Sequence, residues 1–131
     1  MKKLYYAISK SRSPDTVSFF YAQDHKLRQK LLHQFYLLMS EPLPNEPTVK
    51  HFTIEKYSRL YELRTRNKIM VRIIFALQED GSILFLTPFV KKHSRNTMQA
   101  LDASLKLLKQ TETGLCSVKE IPINQLMGGT A

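Results

Sequence analysis

Apolar residues recur along the chain with two different periods, and the switches between them divide it into elements. Leu4 to Ile8 is a short aromatic and branched run that predicts a first strand. Ser13-Pro14-Asp15 then has the make-up of a helix start, with Ser as cap, Pro at the first helical position and Asp set against the dipole. Leu27, Leu31, Phe35 and Leu38 recur near the 3.6-residue period and predict a second helix. Lys26, Arg28, Lys30 and His33 fill much of its opposite side, which reads as a solvated face. The Pro-rich segment 42–47 stops that helix and forms a loop.

The period then changes to two. Strands are predicted from about Tyr57 to Thr65, from about Lys68 to Gln78 and from Ile83 to Val90. Arg66-Asn67 joins the first two, with Asn expected to take the positive φ of a tight hairpin, and Glu79-Asp80-Gly81 joins the next pair. Pro88 cannot donate to a ladder, so it implies an edge position or a bulge near the strand end. Ser94 or Asn96 caps a last helix that carries Met98, Leu101, Leu105 and Leu108 on one face. After Thr111 the pattern weakens: Val118 to Ile123 reads as a short strand, and 128–131 should fray.

This order predicts a small α+β domain with a mainly antiparallel sheet. The N-terminal helices pack on one sheet face, and a helix follows the last strand of the meander. The domain is expected to occupy residues 1–110. Residues 111–131 form a C-terminal extension, a short strand and then a disordered end.

Alternation assigns the faces of the meander. Tyr61 and Leu63 share one side, and Glu62, Arg64 and Arg66 the other. Ile69, Val71, Ile73, Phe75 and Leu77 form a continuous apolar face, which leaves Met70, Arg72 and Ile74 opposite. Arg72 stands out because it interrupts a strand apolar on both faces, where a charge is costly unless paired or opened to a solvated cleft. If the hairpin register permits, Arg64 and Arg72 sit together on an open sheet face, where two guanidiniums suit a phosphodiester. The plainer alternative is that Glu62 ion-pairs one of them.

Charge narrows the partner class. The 131 residues carry a formal charge of +9 with a pI near 9.8, which favours nucleic acid, an anionic membrane or an acidic protein. A single cysteine, Cys116, excludes an intrachain disulfide and a cysteine-based metal cluster. The N-terminal apolar run breaks at Ser9-Lys10, too soon for a signal peptide, and no stretch approaches the roughly 20 apolar residues of a membrane span. A cytoplasmic protein is expected. His25, His33 and His51 lack metal-ligand spacing, so neither metal nor cofactor is predicted. Lys91-Lys92-His93-Ser94-Arg95 closes the last strand of the meander, where such a cluster can cradle phosphate. His93 is the one imidazole among these cations, able to act as general acid or base near neutral pH. No glycine-rich phosphate loop, nucleophile elbow or zinc motif is present.

Leu60-Tyr61-Glu62-Leu63-Arg64, Val71-Arg72-Ile73-Ile74-Phe75 and Phe89-Val90-Lys91-Lys92 together resemble the phage-derived HigB-like group of the RelE/ParE toxin superfamily. That group commonly shows an aromatic-Glu-Leu-Arg strand, an Arg-centred strand and a Phe-x-Lys-Lys end in this order. The resemblance covers roughly residues 3–110 and is specific over 58–110. It implies the toxin of a type II toxin–antitoxin pair, a metal-independent endoribonuclease that cleaves mRNA in the ribosomal A site. By that resemblance Arg64, Arg72, Lys91 and Lys92 bind the scissile phosphate, with His93 as the candidate proton-transfer group. Lys50, Lys56, Arg59, Arg66, Lys68 and Arg95 are RNA-backbone candidates by charge alone. The partners implied are the ribosome, mRNA and a cognate antitoxin, expected to be of helix-turn-helix type. A non-enzymatic ParE-like inhibitor of DNA gyrase and a non-toxic nucleic-acid-binding phage or plasmid protein are the alternatives.

Overall fold

A computed structural model describes residues 1–40 and 42–128; of the frayed end expected at 128–131, Gly128 closes a short helix and 129–131 lie outside the described residues. Strand β1 (Leu4–Ile8) lies where its branched and aromatic residues placed it. Helix α1 (Thr16–Tyr21) is capped by Asp15, whose carboxylate accepts from the Ser18 amide at 2.8 Å. The cap is therefore not Ser13: the carboxylate is the stronger acceptor, and Pro14 precedes the cap instead of opening the helix. Helix α2 (His25–Met39) is capped by Asp24 in the same way and buries Leu27, Leu31, Phe35 and Leu38, the four periodic positions.

Strand β2 (Val49–His51), unforeseen because three residues are too few to alternate, leads into a 3₁₀ turn (Glu55–Tyr57). The meander is β3 (Leu60–Asn67), β4 (Ile69–Leu77) and β5 (Ile83–Val90). Positive φ falls on Lys68 at +67°, not on Asn67, because β3 and β4 stay paired as far as Asn67 opposite Ile69. At the next turn Gly81 takes φ of +85° and its amide donates to Gln78 O at 2.9 Å.

Helix α3 (Ser94–Glu112) follows, and the side chain of Asn96 accepts from the backbone amides of Lys92 and His93 at 2.9 and 2.8 Å. Strand β6 (Ser117–Glu120) and helix α4 (Ile123–Gly128) complete the described chain.

The six strands form one open sheet in the order β2-β3-β4-β5-β1-β6. Every pairing is antiparallel except β1 with β5. This is an α+β fold of the kind expected of a small RelE-like domain. Pro88 sits in a central strand, but two residues past a bulge at Leu86, where the partners shift from Ile74–Thr87 to Phe75–Phe85. It also lies beyond the β1 pairing, which ends at Phe85, so no ladder on that side requires its missing donor.

Helices cover both faces of the sheet. Phe19, Phe20 and the α2 stripe pack on Leu63, Val71, Ile73, Phe75 and Phe85, and Ile121 and Leu126 of the C-terminal segment join this cluster. On the reverse side α3 buries Ala100, Leu101, Leu107 and Leu108 against Leu60, Ile74, Ala76, Leu84 and Leu86. The α3 stripe is rotated from the one expected, leaving Met98 46% exposed, because Ala100, Ser104 and Leu107 face the sheet instead. The sheet face carrying Arg64 and Arg72 is therefore not open along its length, since a stripe of that breadth requires apolar cover.

Candidate functional site

Register puts the two arginines together. Arg64 of β3 and Arg72 of β4 are direct partners across the ladder, and Phe89 of β5 continues the row. Glu62, one step along the same face of β3, lies between the guanidiniums. Its Oε1 accepts from Arg64 Nε at 2.8 Å and stands 3.7 Å from Arg72 Nε. The carboxylate side chain is 1% exposed, against 25% for Arg64 and 11% for Arg72. Glu62 thus contacts both arginines, so the ion-pair alternative and the paired-guanidinium arrangement coexist in one cluster.

Arg72 is poorly satisfied. Its Nη1 donates to Val71 O at 3.1 Å and its Nη2 has only the Met70 sulfur at 3.8 Å. Its buried Nε has no hydrogen-bond partner, and neither has Oε2 of Glu62. Burial lowers the Arg72 pKa from its ordinary value; Glu62 opposes that shift, and the Arg64 and Arg66 charges add to it.

The pair opens into a groove of about 740 Å³ whose far wall is α2. Lys26, Lys30 and His33 of α2 line it together with Arg64, Arg66, Met70 and Arg72. Those three α2 side chains are exposed to solvent, as periodicity predicts, and line the groove as well. What brings them in is the shortness of β2, which pairs only with residues 61–63 and leaves the rest of the β3 edge to be covered. Gln34 Nε2 donates to Arg64 O and Lys30 Nζ to Arg66 O, each at 2.8 Å, while the Gln34 carbonyl accepts from the Thr65 hydroxyl. On the groove's outer side Glu46 lies 3.7 Å from Arg64 Nη1.

The other sequence candidates divide. The Lys91 amide donates to Met70 O at 2.8 Å, which sets Lys91, and Lys92, His93 and Arg95 after it, at the same end of the sheet as the arginines. Arg66 and the turn residue Lys68 are exposed at that end as well. Lys56 and Arg59 precede β3 at the opposite end, where Lys56 pairs with Asp102 at 3.3 Å and Arg59 with Glu112 at 3.0 Å. Lys50 is the cross-strand partner of Glu62, its ammonium 5.5 Å from the Phe52 ring. The fold thus sets Arg64, Arg66, Arg72 and the Lys91–Arg95 run at one end of the sheet, with the three arginines lining the groove and the run beyond its lining, and leaves Lys56 and Arg59 at the other end.

A second groove, of about 520 Å³, runs between the 9–15 loop and α3 past Lys10, Thr87, Lys106 and Cys116. It holds no arginine and no buried ion pair, so the arginine groove is the better anion site. Among the described residues no group of His, Cys, Asp and Glu converges as metal ligands would, and no helix is long and apolar enough to cross a membrane.

Two guanidiniums beside one buried carboxylate, next to a groove that also carries lysine ammonium groups, have the chemistry that an oxyanion such as a phosphodiester or a carboxylate requires. A family model described as "Phage derived protein Gp49-like (DUF891)" matches residues 18–109, a span containing α2, the meander and the lysine run. No curated protein matches the chain.

Proposed function

The chain belongs to the Gp49-like family of phage-derived proteins, a RelE-like family associated with toxin–antitoxin systems, and from this premise we propose that it is a HigB-like toxin that cleaves mRNA on the ribosome. The observation that carries the reading is the direct pairing of Arg64 with Arg72 at the mouth of a basic groove. Cleavage by the RNA's own 2′-hydroxyl needs that hydroxyl deprotonated, the charge of the pentavalent phosphorus stabilised and the leaving 5′-oxygen protonated. In this proposal Arg72 and Arg64 bind the phosphate oxygens, Lys91 and Lys92 supply further positive charge, and His93 transfers a proton. Lys26, Lys30, Arg66, Lys68 and Arg95 hold the flanking RNA backbone. No metal takes part in the proposed mechanism. A cognate antitoxin neutralises the toxin by covering this groove with acidic or apolar segments.

The test is tightly induced expression in a bacterium, with primer extension on abundant transcripts, comparing the wild type with Arg72→Ala. Growth arrest with cleavage confined to translated regions, abolished by the substitution, is the expected result. Arrest without mRNA cleavage would overturn the nuclease and move the target to gyrase or another protein.

A further inference from the structure

We propose that Glu62 is the positioning residue of the arginine pair: it fixes the direction of Arg64 and Arg72 and cancels one of their two charges. The inference rests on reading the groove as a phosphodiester site. Like charges set directly opposite each other on a ladder repel, and Arg64 faces Arg72 in that way. Glu62 is buried beside both, with Oε1 at 2.8 Å from Arg64 Nε and 3.7 Å from Arg72 Nε. Glu62 thus cancels one of the two guanidinium charges from beneath, while Glu46, 3.7 Å from Arg64 Nη1, lies on the exposed side.

The unsatisfied atoms indicate how the cluster responds to a ligand. Arg72 Nε is a buried donor and Glu62 Oε2 a buried acceptor, and neither has a partner. Arg72 meanwhile rests its outer nitrogens on Val71 O and on the Met70 sulfur, and a thioether is a weak acceptor. A phosphate oxygen is a far stronger one, so an arriving phosphodiester draws the outer nitrogens off Met70 while Nε closes onto Glu62. Glu62 touches no ligand, since its carboxylate is sealed beneath the arginines. It acts through them.

A purely structural carboxylate and a positioning one differ in what their removal does to binding. Glu62→Gln keeps the shape and removes the charge, so the groove gains one uncompensated positive charge. The variant is expected to bind a single-stranded RNA oligonucleotide at least as tightly as wild type, with a steeper salt dependence. Cleavage of translated mRNA is expected to fall about 10–100-fold, the usual cost of disturbing the group that orients a contact residue. Cleavage unchanged, or binding and cleavage falling in parallel with the melting temperature, would overturn the proposal. If Glu62→Gln does not fold, Glu62→Asp preserves the charge and withdraws it by one methylene. It should then keep the wild-type salt slope while losing cleavage, and wild-type cleavage in it would refute positioning. The Arg64 Nε–H resonance reads the same contact without any activity: it is expected to be protected from exchange in wild type and less protected in Glu62→Gln, whose neutral amide oxygen is the weaker acceptor. If the wild type cleaves nothing, the nuclease reading fails, and this resonance together with the salt slope still decides the role of Glu62.

Discussion

Arg64 and Arg72 stand directly opposite each other on β3 and β4, and the carboxylate that reaches both of them, Glu62, is almost completely shielded from water. A buried anion of this kind depends on its cations, and they in turn are separated by it. The cluster is thus a unit in stability as well as in charge, and single substitutions within it should not behave as independent losses.

Arg64→Ala removes the nearest cation from Glu62 and leaves the carboxylate with Arg72 at 3.7 Å. A loss of about 1–3 kcal/mol is expected, the cost of a buried polar group deprived of its partner. Urea unfolding measures it, and the double variant Arg64→Ala with Glu62→Gln should recover part of the loss. An unchanged midpoint in the single variant would show that Glu62 does not depend on this contact.

Leu126→Ala tests whether the C-terminal segment belongs to the main core. Leu126 is 2% exposed within the cluster formed by α1, α2 and the sheet. Truncation of a buried leucine should cost about 2–5 kcal/mol, whereas a loosely attached tail would show almost no change in thermal unfolding.

Lys68 holds φ of +67°, a region that side chains with a Cβ occupy only with strain. Lys68→Gly should raise stability by about 0.5–1 kcal/mol, the relief of that strain less the added freedom of glycine in the unfolded chain. A destabilised variant would mean that the lysine side chain contributes more than its backbone strain costs.

One source of acid sensitivity should lie where α3 meets the 3₁₀ turn. The Tyr57 hydroxyl donates to Asp102 at 2.6 Å and Lys56 pairs with the same carboxylate, and these bonds depress the Asp102 pKa. A depressed carboxylate contributes stability above its unfolded value, about pH 4, and loses that contribution as the pH falls through its lower folded value. Lys56 and Tyr57 are shifted upward by the same contacts, so their share persists below about pH 10 and fades above it. Melting temperature against pH for wild type and Asp102→Asn provides the check. The variant should show the shallower acid limb, and superimposable limbs would refute the assignment.

Much of the fold was legible because its signals are local. Leu27, Leu31, Phe35 and Leu38 marked the buried stripe of α2, and Asp80-Gly81 marked a hairpin that forms as expected. What escaped was set at a distance. Strand β2 is too short to show a period and exists because β3 offers it an edge. The positive φ moved from Asn67 to Lys68 because the ladder continues further than the turn residues suggest. Met98 lies on the extrapolated apolar face of α3, yet the axis of that helix is fixed by Leu101, Leu107 and Leu108 against the sheet, which turns Met98 to solvent. At the candidate site, alternation sufficed to put Arg64, Arg72 and Glu62 on one face. Nothing in a single helix could show that Lys26, Lys30 and His33 line the same groove as those arginines, because that juxtaposition is made by the docking of α2 beside the β3 edge.

The parallel pairing of β1 with β5 also governs the order in which the molecule is completed. Leu4 meets Ile83, so β1 has no neighbour in the sheet until about 80 further residues have followed it out of the ribosome. Its other neighbour, β6, emerges later still. Helices α1 and α2 and the β3–β4 hairpin are made of contacts near in sequence and can form early, whereas closing the sheet around β1 is the long-range step and sets the pace. A nascent chain carrying Arg64 and Arg72 already in register will therefore still lack the strands that seal its main core. The six-stranded sheet is closed only after synthesis has passed residue 120.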